Sequence, residues 1–270
     1  MRITWAGTGS ALTPGVYQTQ AVITAASGKN LLIDCGSDAR HSLKEHAGIG
    51  ADDIDAVYIS HLHGDHVHGL EWLGFCRYPW GGVQRLPKPK IYGVDRLLVK
   101  LWAEVLRGTL ESIEGSVNTF ADYFDLRPIA TNESFVWEGL LFEPVQTVHV
   151  MNGRALTDSF GLFVTEFVDG QPNNRTFFTT DTQFCPSQIN AFYNKADLIF
   201  HDCDTSKFPS GVHAHYNQLV TLPAPVKAKT SLIHYIPGML PLEQAVADGF
   251  ISFVVPGTIV DTLRCSNHEA

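Results

Sequence analysis

Four side chains able to hold a metal ion fall within six residues, His61-Leu62-His63-Gly64-Asp65-His66, and Gly69 follows them. In an extended segment alternate side chains share a face, so His61 and His63 can reach one ion together. A tight turn at Gly64 then aims Asp65 and His66 at a second, neighbouring ion. Imidazole and carboxylate suit zinc, manganese or iron. Two such ions can share a bridging hydroxide, and coordination brings the pKa of that water to about 7, making a nucleophile at neutral pH. A lone His-x-His is as readily a polar loop. Four such groups directly after an apolar run favour the metal.

The residues before the motif belong to a recurring pattern in which a short apolar run ends on a metal-capable side chain. Residues 55–60 run into His61, 142–148 into His149, and 176–180 into Asp181. Residues 196–200 lead to His201 and Asp202, and 230–233 to His234. Their length and their β-branched and aromatic content read as strands. Strands sharing a sheet bring such ends to one edge, where a scaffold of sheet and helices usually carries its chemistry. Further strands are expected over 3–6, 20–25 and 30–33, and helices over 37–46, 95–107 and 117–124, with Ser42 and Glu45 as a weak capping box. Interleaved strands and helices point to an α/β sandwich.

The chain has 270 residues, 44% hydrophobic and 17% charged, which supports a large core and excludes a disordered chain. One domain over 1–270 is expected, with a partly helical insertion at about 76–145. A net charge of −9 argues against a long nucleic acid as partner. No apolar leader or membrane-length segment is present in the sequence, so a soluble, cytoplasmic protein without membrane contact is expected. Five scattered cysteines, at 35, 76, 185, 203 and 265, suit a reducing compartment and read as small core residues.

His61, His63, Asp65 and His66, with His149, Asp181 and His234 following in order, resemble the dinuclear ligand set of the metallo-β-lactamase-fold hydrolases over essentially the whole chain. The resemblance implies an αββα sandwich and two divalent ions, zinc first and manganese or iron as alternatives. It implies that His61, His63 and His149 hold one ion, that Asp65, His66 and His234 hold the other, and that Asp181 bridges them. Asp34 matches the family's early Asp, which supports the metal loop from behind. Gly7-Thr8-Gly9-Ser10-Ala11, His201-Asp202 and a histidine about twenty residues before His234 are similar to the tRNA 3′-processing endonuclease and cyclic phosphodiesterase branch. There an acidic residue and a downstream histidine assist leaving-group protonation. Asp202 matches the acidic position. His213 and His215, 21 and 19 residues before His234, both fit the histidine. With Asp65 these form the candidate catalytic set. Dimers are common in that branch, so a homodimer is a candidate state.

Processing endonucleases usually carry a long basic arm between the third and fourth ligand motifs, whereas His149 and Asp181 lie 32 positions apart. The expected function is therefore hydrolysis of a small or cyclic phosphodiester, an anionic small molecule. The alternatives are a lactone, thioester or amide hydrolase, then a di-iron redox or oxygen-binding protein, which typically has a carboxylate where His63 stands, and last a non-catalytic binding protein. Gly7-Thr8-Gly9-Ser10 lacks a following Gly-Lys-Ser/Thr and reads as a turn. The cationic stretch at 85–90, with Arg96 and Lys100, reads as a solvated face. Trp102 reads as core; Tyr78 and Trp80 stay open between core and ligand stacking.

Overall fold

The structure, a computed structural model, describes residues 1–262, so Cys265 and His268 lie outside the described residues. The chain divides into two compact units. The first comprises Met1–Gly7, Tyr17–Glu133 and Pro256–Val260. Its seven-stranded sheet runs in the order Ile259–Asp261, Arg2–Gly7, Gln20–Thr24, Asn30–Ile33, Ala56–Tyr58, Lys90–Val94, Asp125–Ile129. Arg2–Gly7, Gln20–Thr24 and Asn30–Ile33 pair antiparallel, and the following three join in parallel. Parallel neighbours need crossovers, and helices supply them. Ala39–Ser42 continues into a wider turn over Leu43–Ala47, Gly64–Val67 leads to Gly69–Arg77, and Asp95–Lys100 runs on through Leu106 to Arg107–Leu110. Ile3, Trp5, Ile23, Leu32, Val57 and Ile91 are buried in this unit.

The second unit comprises Thr8–Val16, Ser134–Val255 and, among the described residues, 261–262. Its sheet repeats the same plan. Phe135–Trp137, Leu140–Gln146, Phe160–Val168 and Gln171–Phe178 form an antiparallel meander, to which Leu198–Asp202, Thr230–Ile233 and Ser252–Phe253 add in parallel. Phe163, Phe177, Tyr193, Ile199, Leu219 and Leu232 lie together in its core.

Within 76–145, Lys90–Val94 and Asp125–Ile129 are strands of the first sheet and Leu140–Gln146 is a strand of the second. Ser42 does not cap a helix: its backbone is already helical, and its hydroxyl donates to Gln20 Oε1 at 3.1 Å. The helix expected over 117–124 shrinks to Phe120–Tyr123 behind a Thr119 cap, where Asp122 Oδ2 accepts from Thr119 N at 2.6 Å. Cys35 and Cys203 are buried as expected, but Cys76 is exposed.

The metal-motif helix is docked by backbone contacts. Cys35 N donates to His66 O at 2.7 Å and Gly69 N to Cys35 O at 2.9 Å. Gly69 permits this approach, since a Cβ there would meet Gly36 O at 2.2 Å. Gly69→Ala is therefore expected to cost about 1–3 kcal/mol through overpacking, read as a lowered urea midpoint at unchanged slope; a midpoint equal to the parent's would show that the contact yields freely.

Candidate metal-binding active site

In each sheet the chemistry-bearing residues stand at the carboxyl ends of strands, the edge where open α/β sheets bind ligands. In the first unit, Asp34 follows Asn30–Ile33 and Ser60-His61 follows Ala56–Tyr58. In the second, His149 follows Leu140–Gln146, Asp181 follows Gln171–Phe178, Asp202 ends its strand, and His234 follows Thr230–Ile233.

The first unit's donors are ordered by buried Asp34. Ser60 N donates to Asp34 Oδ1 at 2.8 Å and Ser60 Oγ to Oδ2 at 2.7 Å. The hydroxyl has spent its only hydrogen there, so toward His61 Nδ1, 3.0 Å away, it accepts. His61 therefore carries its proton on Nδ1 and presents the Nε2 lone pair, 3.0 Å from His63 Nδ1. His66 follows the same logic. Its Nδ1 donates to Asp34 Oδ2 at 2.7 Å, while Nε2 stands 3.2 Å from Asp65 Oδ2. Asp34, His61 and His66 offer donor atoms within 4.8 Å of one another.

The second unit repeats this arrangement around Asp181. His149 Nδ1 donates to the Val212 carbonyl at 2.8 Å, and Nε2 stands 3.8 Å from Asp181 Oδ2. Burial lowers the His149 pKa against the raising effect of Asp181, which favours the neutral ring with Nε2 as an acceptor. His234 Nε2 lies 3.6 Å from the same Asp181 oxygen, with Nδ1 facing Asp202 Oδ1 at 3.3 Å. Imidazole lone pairs directed at carboxylate oxygens are acceptors facing acceptors, and a cation satisfies both. Tautomers fixed from behind by carboxylates and carbonyls are the usual support of metal-ligating histidines. The donor chemistry thus fits the metal role expected for these residues.

Asp202 is fully buried. Thr182 N donates to its Oδ2 at 2.8 Å, and His213 Nδ1 lies 2.7 Å from the same oxygen. Burial raises its pKa, but the charge and hydrogen bonds of His213 and His234 outweigh that and hold it below the usual carboxylate range. His213, half-buried, is held above the usual histidine value because Asp202 outweighs its desolvation.

The structure separates the two histidines that the sequence leaves open. His213 pairs with Asp202 and stacks on His234 at 4.8 Å. His215 is tied to the backbone at both ring nitrogens: Nε2 donates to Ser206 O at 3.0 Å and Nδ1 accepts from Asn217 N at 3.3 Å, capping helix Tyr216–Leu219. His201 is likewise engaged, with Tyr193 Oη and the Asp202 carbonyl, and burial lowers its pKa.

Asp34, Thr180 and His234 all adopt φ between 50° and 63° without being glycine. Such backbone costs about 1–3 kcal/mol each and clusters at functional sites. Ser60 and the Val212 carbonyl escape the sequence reading. Ser60 was visible only as the neighbour of His61, and a backbone carbonyl leaves no sequence signal. Trp102 stacks on Phe120 at 5.7 Å and is half-buried. Trp80 is exposed and in edge contact with Tyr78 at 4.8 Å. Lys88 of the cationic stretch donates to Ala121 O at 2.6 Å. Gly9 bridges Tyr235, and Tyr235 N donates to Thr8 O at 3.2 Å, so the early glycine segment is a turn packed within the second unit.

A family model described as Anti-Pycsar protein Apyc1 matches residues 1–260. The chain belongs to this family. An Anti-Pycsar protein Apyc1 from Paenibacillus xerothermodurans is 34% identical over 241 residues, covering 87% of this chain and 88% of the relative. Among solved structures, a diphosphatase of the PhnP family superposes with TM-score 0.72 at 19% identity, covering 96% of this chain and 97% of its own. The metallo-β-lactamase fold protein YhfI from Bacillus subtilis gives TM-score 0.69 at 16% identity, covering 96% and 99%. The short form of human tRNase Z gives TM-score 0.66 at 19% identity, covering 97% and 99%. The fold is the αββα metallo-β-lactamase fold, and the protein is a hydrolytic enzyme. Among the described residues no helix is long and apolar enough to cross a membrane.

Replacing the support behind a ligand tests this geometry. Asp34→Ala should weaken zinc binding by about 10–100-fold, measured by competition with a chromogenic chelator. Parental affinity in the folded variant would remove Asp34 from the site.

Proposed function

We propose that the chain hydrolyses a small cyclic phosphodiester, a cyclic nucleotide, with a two-ion centre. The observation that carries this reading is the His213–Asp202 pair, Nδ1 to Oδ2 at 2.7 Å, beside Asp181 and His234. A hydrolase working only on good leaving groups has no need of a proton donor, whereas the alkoxide leaving a phosphodiester is strongly basic. Membership of the Anti-Pycsar family supports a cyclic nucleotide as the substrate.

In this reading His61, His63 and His149 hold one ion, Asp65, His66 and His234 the other, and Asp181 both. Zinc suits the donors best, with manganese or iron as alternatives. When bound, the ions supply a Lewis acid for the phosphoryl oxygens and an ionised water as nucleophile. Asp34 and the Val212 carbonyl hold His66 and His149 in the ligating tautomer. Asp202 holds His213 by Nδ1, so that Nε2 delivers the proton. One P–O bond forms and one breaks; the proton lost by water is balanced by the one His213 gives to the alkoxide, and a phosphomonoester leaves. Asp65 acts as ligand and not as the acid. His215 serves the loop rather than the chemistry. The cysteine pattern suits action in the cytoplasm.

A panel of cyclic nucleotides, nitrophenyl phosphodiesters, lactones and thioesters tests the substrate class. Cyclic nucleotides should give the highest kcat/KM, and activity on lactones alone would overturn the reading. His213→Ala should lose about 10²–10⁴-fold on cyclic nucleotides and far less on nitrophenyl esters. His215→Ala should instead lower the melting temperature and affect both substrates equally. Equal losses across substrates for His213→Ala would refute its role as acid.

A further inference from the structure

We infer that a cavity of about 210 Å³ beside His213 is the subsite for the neutral sugar–base end of the substrate, the part that carries the leaving oxygen. The inference rests on the reading of His213 as proton donor. A general acid must lie within hydrogen-bond reach of the atom it protonates. The remainder of the leaving group then occupies space that His213 lines. This cavity is such a space: its walls come from residues 10–12, the loop from Asp204 to His213, and Ile236, and His234 lines its edge toward the metal donors.

The lining suits a nucleoside and not a second phosphate. Ser10, Ser206 and Ser210 bring hydroxyls, which match sugar hydroxyls and ring heteroatoms. Leu12 and Ile236 bring apolar surface; Leu12 is 95% exposed and thus accessible to a flat ring. Asp204 adds a carboxylate, which repels an anion and leaves the phosphoryl group to the metal donors. At this size the cavity falls below the roughly 300–1,000 Å³ of drug-sized pockets, enough for one compact group.

The loop is built and not a solvated tip. Asp204 accepts from Ser206 N at 2.8 Å and from Ser210 N at 3.0 Å, fixing both serines. Asp204 N donates to Ala214 O at 2.8 Å, and Tyr216 N to Asp204 O at 2.9 Å. Thr205 Oγ1 donates to Ile236 O and accepts from Ile236 N, both at 3.0 Å, and so ties the loop to the far wall. His215 closes it through Ser206 O. The same loop presents His213 and the Val212 carbonyl that orients His149. In this proposal substrate recognition, proton delivery and the orientation of His149 therefore depend on one hydrogen-bonded loop.

Calorimetric titration of the zinc-loaded protein with adenosine and cytidine, which lack phosphate, tests the subsite apart from catalysis. The parent should bind a free nucleoside, and Leu12→Glu and Ser210→Leu should each weaken that binding at least tenfold. Leu12 is so exposed that its replacement keeps the test valid if Ser210→Leu fails to fold. No nucleoside binding in the parent, or equal affinity in Leu12→Glu, would overturn the inference. Nucleoside binding without any phosphodiester hydrolysis would support the subsite and instead overturn the function proposed above.

Discussion

Acceptors facing acceptors are the constraint around which the rest of the structure is arranged. Imidazole Nε2 atoms of His66, His149 and His234 lie 3.2–3.8 Å from carboxylate oxygens of Asp65 and Asp181, all in buried surroundings. Taking a carboxylate out of water costs several kcal/mol unless a charge or hydrogen-bond donors compensate. The arrangement persists because Asp34 and the Val212 carbonyl accept the Nδ1 protons of His66 and His149 and prevent these rings from turning to relieve it. The left-handed backbone of Asp34 and His234 is a further cost that the surrounding sheets sustain. A cation at either set of donors would satisfy both acceptors.

Much of this was legible in the sequence because it depends on local periodicity. The strands at 30–33 and 230–233 match expectation to the residue, and those before His61, His149 and Asp181 match to within a few. A buried strand declares itself by a short apolar run, and the next residue declares the chemistry. What stayed hidden depends on long-range contact. The strands Lys90–Val94 and Asp125–Ile129 carry no chemistry at their ends and are separated by a long helical run, so the sequence does not announce them. Ser42 and Glu45 have capping-box spacing, yet Gln20, 22 residues away in sequence, takes the Ser42 hydroxyl.

The choice between His213 and His215 shows the same limit at the site. Spacing to His234 admits both, and both precede or cap a short element. Their partners differ: His215 is held by Ser206 O and Asn217 N, whereas His213 meets the side chain of Asp202. The fold alone leaves the chemistry open, since unrelated activities share such scaffolds. The pairing of a buried carboxylate with a half-buried histidine supports the proposed substrate, whose leaving group needs a proton.

The central proposal is that the chain holds two ions, with Asp181 a ligand to both. Titrating metal-free protein with zinc by calorimetry, alongside elemental analysis after gel filtration, measures it directly. The structure predicts two equivalents per chain in the parent and, in folded Asp181→Asn, weakened binding of both. Less than one equivalent in the parent, or two undiminished equivalents in Asp181→Asn, would contradict it.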